Sequence, residues 1–417
     1  MIDVDAVRAR FPALSSGLVY FDGPGGTQVP REVPEAVRLY LEGTNANHGG
    51  AFRTSRESDA LVAEARSAFA DFLGADHPEE IVFGPNMTTL TFAVSRAIGR
   101  ELSPGDEIVV TRLDHDANVA PWLAVAEDRG ATVRWVDFEP SDATWGMAAL
   151  ERVVTSRTRL VAVAMASNAF GTVNPVRDAA TLARRAGALL YVDAVHFAPH
   201  GPIDVKDLGC DFLACSAYKF FGPHLGVLWG RRELLERLRP YKVRPSADVP
   251  PDRWETGTQS FEAIAGAGSA LQYLGWVGDE FGGDFGHSLG KRYRGRALSL
   301  KRAMAAIREY ETGLSRALLD GLSSVRGLKL RGLCDPTALD RRVPTFAFTL
   351  DAASPRAVCA ALDRAGIAAW DGNYYALAAM ERLGLEGKGG AVRVGAVHYN
   401  TAGEIERLCE ELRALSG

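Results

Sequence analysis

The chain has 417 residues, of which 47% are hydrophobic and 24% charged, and it carries a formal net charge of −5. That length allows two domains and a large buried core, and the balance is that of an ordinary globular protein. With no long basic block it argues against a nucleic-acid surface, and no apolar run reaches the roughly 20 residues that span a bilayer.

The start, Met1-Ile-Asp-Val-Asp-Ala-Val-Arg8, is acidic and polar, unlike a secretory signal, so the expectation is a cytoplasmic protein. From residue 80 to 230, short apolar runs alternate with amphipathic stretches. The runs are Glu80–Phe83, Glu107–Thr111, Thr132–Val136, Leu160–Met165, Leu189–Val192 and Phe212–Cys215, and a helical pattern such as Val176–Ala186 lies between them. Near-continuous apolar strands separated by helices predict a mainly parallel sheet covered on both faces. Ligands of such sheets sit beyond the carboxyl ends of the strands.

The stretch from Gly275 to Gly295 is glycine-rich and reads as a hinge or surface segment. A long amphipathic helix follows, with Leu300, Met304, Ile307, Leu314, Leu318 and Leu322 near a 3.6-residue period. Then come a strand around Val343–Leu350, a helix around Pro355–Ala365, a strand around Ala391–Val397 and a last helix from Ala402 to Leu415. The expected fold class is α/β, in two domains: a large domain over residues 1–280 and a smaller α+β C-terminal domain over 281–417, with the extreme N-terminus packing on the small one. Five cysteines (Cys210, Cys215, Cys334, Cys359, Cys409) are irregularly spaced without a Cys-x-x-Cys, and they read as reduced, mostly buried thiols with no zinc site.

Lys219 stands three residues beyond the end of an apolar run, between aromatic side chains. Apolar surroundings weaken a lysine's preference for its charge and make it a usable amine nucleophile. Asp193 ends another run and could hold a pyridinium nitrogen. Together they are the two protein groups that pyridoxal phosphate (PLP) needs, although each alone reads as a loop lysine or a helix cap. At Asn86-Met87-Thr88-Thr89 a strand runs into a helix, whose free amides and hydroxyl suit a phosphate or a plain N-cap. Ser216, Tyr218 and Thr258 could donate to the same group. His115 could stack on a planar ring or move protons. Asn168 could bind a cofactor oxygen or a substrate carboxylate, or set a turn. Arg393, inside an apolar strand, needs an acidic partner: a substrate carboxylate or a buried acid. Gly23-Pro-Gly-Gly26 is a weak nucleotide-binding signal, because no strand–turn–helix surrounds it.

Taken in order, these segments resemble the class V aminotransferase group of fold-type-I PLP enzymes, in its cysteine-desulfurase-like branch. The resemblance is carried by Tyr20-Phe-Asp-Gly, Phe83-Gly-Pro-Asn-Met-Thr-Thr, Asp114 to Trp122, Ser167 to Pro175, Val192-Asp-Ala-Val-His196, Cys210 to Pro223, Trp254 to Thr258, and Arg393. It implies PLP as cofactor, a small amino-acid substrate and a homodimer with shared active sites. It implies Lys219 as the Schiff-base residue, Asp193 on the ring nitrogen and His115 over the ring. Met87, Thr88, Ser216 and Tyr218 would surround the phosphate, and Thr258 would reach the phosphate of the other subunit's cofactor. Asn168 and Arg393 would take the substrate carboxylate. His196 falls where relatives carry a glutamine beside the cofactor's phenolic oxygen.

Desulfurases of this branch need a loop cysteine that stores a persulfide. In the matching segment, Gly366 to Ala376, Tyr375 stands where that cysteine is expected and Trp370 where an arginine is. The expectation is therefore a lyase that eliminates across a C–S bond without persulfide chemistry. The alternatives are a class V aminotransferase and a non-catalytic PLP-fold partner protein. Trp370, Tyr374 and Tyr375 predict a substrate with an apolar, aromatic or planar side group.

Overall fold

The computed structural model describes residues 1–416. A two-residue strand, β1 (Val19–Tyr20), precedes the large sheet. That sheet is built from β2 (Ile81–Gly84), β3 (Glu107–Thr111), β4 (Thr132–Val136), β5 (Thr158–Ala164), β6 (Leu189–Asp193), β7 (Phe212–Ser216) and β8 (Gly226–Gly230). Its seven strands lie in the order β2-β8-β7-β6-β5-β3-β4. The pairings from β7 to β4 are parallel, and both pairings of β8 are antiparallel.

Side chains along the central strands alternate between two cores. Val109, Val161, Val163, Leu190, Val192 and Leu213 enter one; Ile108, Val110, Leu160, Ala162, Tyr191 and Phe212 enter the other. The period of two survives, but both faces are apolar because both are covered, so the strands read as continuous hydrophobic runs. The six expected strands occur within two residues of their predicted ends. β8 has no place in the sequence reading: Gly-Val-Leu-Trp-Gly is five residues bounded by glycines.

The second sheet contains β9 (Leu328–Arg331), β10 (Thr345–Leu350), β12 (Trp370–Gly372) and β13 (Ala391–Gly395), all antiparallel in the order β12-β13-β10-β9. β11 (Ile367–Ala368) pairs in parallel with β1, and Asp22 bridges Gly395, so the N-terminal segment is stitched to this second sheet. The helix Gly295–Ser323 serves both regions. Its Leu300, Met304 and Ile307 belong to a core under the large sheet, whereas Leu314, Leu318 and Leu322 belong to the core of the second sheet.

The glycine-rich segment departs from expectation. Its first part, through Gly275 and Gly278, is the end of the regular helix Phe261–Phe281. A Cβ on Gly278 would overlap the Ser299 carbonyl of the neighbouring helix. Glycine costs a helix about 1 kcal/mol relative to alanine, and here it permits two backbones to touch. Among the described residues no helix is long and apolar enough to cross a membrane.

Candidate active site

The carboxyl ends of β5, β6 and β7 open onto a cavity of about 640 Å³ that is also lined by residues 370–375, Glu386, Gly389 and Gly390. The parallel register of β6 and β7 sets Asp193 beside Ala214, so Ser216, and the short turn Ala217–Lys219 after it, start next to the Asp193 carboxyl. All the candidates named from the sequence line this cavity except Thr258. Thr258 is exposed and does not line the cavity.

Lys219 opens into the cavity but has protein around most of its side chain. Its Nζ donates to the Pro24 carbonyl and lies 4.9 Å from the centre of the Tyr218 ring. Burial, and then the Arg393 charge, lower its pKa to about 7, while Asp193 and Asp22 oppose the shift. A substantial fraction is thus free amine at neutral pH, as a carbonyl-trapping lysine requires. Asp193 is 5% exposed, and one of its oxygens accepts from Val195 N–H at 2.9 Å. Burial raises its acid to about 6. A pyridinium proton at this carboxyl would favour its ionised form, so the group fits that partner.

His115 follows β3. Its Nδ1 accepts from Ala117 N–H at 3.0 Å, which leaves the ring proton on Nε2. Burial, then Lys219 and Arg393, lower its pKa to about 4, so it is a neutral ring at pH 7. It stacks on Tyr375, with centroids 5.4 Å apart and planes 18° from parallel. His196 is buried and bonded through Nε2 to Thr345 Oγ1 at 3.0 Å; burial holds its pKa well below the usual value.

The helix Met87–Gly99 starts at the cavity wall. Asn86 caps it by accepting from Thr89 N–H at 2.8 Å, and Met87 N–H donates to Ser216 Oγ at 3.2 Å. A Cβ at Gly226 would collide with the Asn86 backbone, so the glycine lets β8 press this helix start into place. Helix-start amides with Thr88 and Ser216 hydroxyls beside them suit a phosphate. The Tyr218 ring stacks on His224 at 4.9 Å.

Arg393 occupies the opposite wall. It is 5% exposed and ends in a guanidinium that donates to the Asn168 carbonyl at 2.9 Å and lies 4.4 Å from the centre of the Tyr374 ring. Its Nε has no partner, and neither does Asn168 Oδ1. Burial lowers its pKa to about 10. The sequence left open whether a buried acid neutralises this arginine. Among the described residues no carboxylate pairs with it; Asp22 acts on it only at a distance, and Asp22 Oδ1 is itself unpartnered. Buried unpartnered groups are costly unless a ligand completes them, and a carboxylate would complete this one. The residues present therefore fit PLP and an amino acid: an amine, an acid for the ring nitrogen, a phosphate cradle and a carboxylate site.

At the mouth, Trp370 lies directly across from Arg393 in the β12–β13 pairing. Tyr374 and Tyr375 both have left-handed backbone, φ 56° and 58°. Bulky residues rarely adopt it, and three bonds hold it here. Tyr374 O accepts from Asn168 Nδ2 at 2.8 Å, Tyr375 O accepts from Asp116 N–H at 2.7 Å, and the Tyr374 hydroxyl donates to the Ala391 carbonyl.

The sequence reading missed Pro24, Gly25, Asp371, Asn373 and Glu386, all of which line the cavity. The glycine-rich turn at 23–26 carried a signal, but for the wrong ligand: Gly25 makes room for the Trp370 indole and Gly26 for the Tyr218 ring. The residues from 371 to 386 carry no comparable signal. Among the described residues no group of three or more His, Cys, Asp and Glu is placed to hold a metal ion.

The chain is similar to known proteins over nearly its whole length. Residues 19–281 and 296–408 match the sequence model of the family described as Aminotransferase class-V. A probable cysteine desulfurase of Streptomyces coelicolor is 31% identical over 99% of this chain and 97% of its own. An aminotransferase-like protein of Gibberella zeae is 32% identical over 97% and 96%. The apo structure of a cysteine desulfurase from Thermococcus onnurineus superposes with a TM-score of 0.87 at 27% identity, covering 100% of this chain and 98% of the other.

Proposed function

Since the chain belongs to the aminotransferase class-V family, we infer that it is a lyase that eliminates across the C–S bond of an S-substituted cysteine or related amino acid, without storing sulfur as a persulfide. It is a PLP-dependent enzyme of fold type I, cysteine-desulfurase-like at about 31% identity. The finer reading rests on one observation: the segment that closes the cavity presents Trp370, Tyr374 and Tyr375 to it and no thiol. A phenol cannot hold a persulfide. Cys210, Cys215, Cys359 and Cys409 are buried, Cys334 is half-buried, and none lines the cavity. Burial raises the pKa of each, that of Cys359 to about 12, which disfavours the nucleophilic thiolate.

The geometry supports the following division of work. Bound PLP supplies an electron sink for the bonds at the substrate's α-carbon. Asp193 keeps the proton on the ring nitrogen, and the helix start at Met87, with Thr88 and Ser216, holds the phosphate. Arg393 and Asn168 fix the substrate carboxylate. Lys219 Nζ, neutral for part of the time at pH 7, holds the cofactor and takes the α-proton. His115, neutral and fixed by Ala117, supports the ring without adding charge. Thr258, exposed and not part of this cavity's lining, suits a role in a second copy's site within a homodimer. A boundary near residue 280 is part of the same proposal.

Product analysis with S-substituted cysteines tests it. Elimination releases the sulfur substituent as a thiol and, after one water hydrolyses the resulting imine, yields thiol, ammonia and a 2-oxo acid in equal amounts with the cofactor's aldehyde retained. Accumulation of the amine form of the cofactor would instead support the second reading, an aminotransferase, which the Gibberella zeae relative favours.

A further inference from the structure

The cavity is electrically polarised. Its two cations, Lys219 and Arg393, lie on the inner walls. Its mouth is lined by Trp370, Asp371, Asn373, Tyr374, Tyr375 and Glu386, with no cation among them. Most of these groups are already engaged. Tyr374 lies against the Arg393 guanidinium, Tyr375 stacks on His115, and Asp371 pairs with Arg356 at 3.2 Å.

Two groups are not. Trp370 is 52% exposed and, among the described residues, has no aromatic or cationic partner. Glu386 is exposed and, among the described residues, has no cationic partner; its Oε1 accepts from Asn373 Nδ2 at 3.0 Å, which turns it towards the mouth. An indole face and an unpaired carboxylate are the two group types that attract an organic cation. Trp370 is the cross-strand neighbour of Arg393, and Trp370, Glu386 and Arg393 line one cavity, so the tail of an amino acid whose carboxylate sits on Arg393 has both groups within the same space.

Building on the lyase reading above, we propose that the substrate is a cysteine whose sulfur substituent ends in a positively charged group, recognised by Trp370 and Glu386. An anionic tail would face Glu386 and Asp371, and the Arg356 beside Asp371 is already paired with that carboxylate. A neutral tail of the same length would bind through Trp370 alone.

Two measurements on the holoenzyme test this separately from the reaction type. The first compares kcat/KM for elimination from S-(2-aminoethyl)-L-cysteine, S-propyl-L-cysteine and S-carboxymethyl-L-cysteine. The expected order is cationic over neutral by about tenfold, as one half-exposed ion pair plus one cation–aromatic contact would give, with the anionic compound poorest. The second titrates L-arginine against its near-isostere L-citrulline, neither of which has a sulfur to lose, by the change in the visible cofactor spectrum. Arginine should bind about tenfold tighter, and E386Q and W370A should each cut that preference to threefold or less. Equal binding of the two, best turnover of the anionic compound, or a preference unchanged in both variants would overturn the proposal. A charge preference without elimination would sink the lyase reading alone; elimination without a charge preference would sink the cationic tail alone.

Discussion

Lys219 and Asp193 stand at the ends of neighbouring strands in the middle of a seven-stranded sheet, whereas Trp370, Tyr374 and Tyr375 stand on an edge strand and the turn after it. The floor of the cavity is positioned by ladder hydrogen bonds on both sides and by two apolar cores. The mouth is positioned by a few side-chain and backbone bonds that hold two tyrosines in left-handed backbone. The floor provides chemistry that depends on burial, since burial is what brings Lys219 near neutrality and keeps His115 uncharged. The mouth is more open to solvent and uses shape and charge to select. If the contrast is right, changes on the floor should abolish the reaction, and changes at the mouth should redirect it.

The sharpest way to break this contrast is K219A. It should leave no cofactor fixed by borohydride on mass mapping and lower turnover by about 10²–10⁴-fold; a fixed cofactor elsewhere would move the floor to another lysine. D193N, which removes the charge that holds the ring nitrogen's proton, should cost about 10²–10³-fold in kcat with cofactor still attached. R393K should raise KM by roughly 10–100-fold with a smaller change in kcat, because a point charge replaces a fork that can hold a carboxylate in two places.

A smaller effect comes from pH. The amine of Lys219 captures the cofactor only when neutral, and its pKa in the folded protein is lowered to about 7. Capture by the apoprotein, followed spectroscopically, should therefore speed up as pH rises from 6 to 8, by about tenfold, and level off above that. A rate still climbing steeply beyond pH 9 would mean that Lys219 is an ordinary solvated lysine. The smallest effect is expected at the mouth. Y375G relieves one left-handed tyrosine, worth roughly 1–2 kcal/mol, and loses one stack on His115, worth about 0.5–1.5 kcal/mol. Stability measured by denaturant unfolding should change by no more than about 1.5 kcal/mol, while the ranking of substrates by kcat/KM should change more than the best kcat does.

The floor was largely legible in the sequence. A strand that is buried on both faces must be an unbroken apolar run, and the first polar residue after it must lie at the sheet's edge. That is how Asp193, Ser216, Asn168 and His115 were found. The mouth was half legible. Trp370 and Tyr375 stood out because of the residues they replace, but their partners did not. Glu386 is one exposed acid among many, and nothing local to it tells that Asn373 bonds it or that it lines the same cavity as Trp370. The glycine-rich helix end at Gly275 and Gly278 was misread for a related reason. Glycine marks a loop when only local freedom is considered, and it marks a close helix contact only when the neighbouring helix is known.

By itself the sequence determined the strand–helix alternation, the buried strands, the residues at their carboxyl ends and the absence of a thiol between Gly366 and Ala376. These follow from hydrophobic patterning, which acts over a few residues. Only the tertiary structure decided that Pro24 meets Lys219, that Trp370 lies opposite Arg393, that among the described residues no carboxylate pairs with Arg393, and that one long helix joins two cores. Those pairings join segments up to hundreds of residues apart, and they are set by which faces pack together.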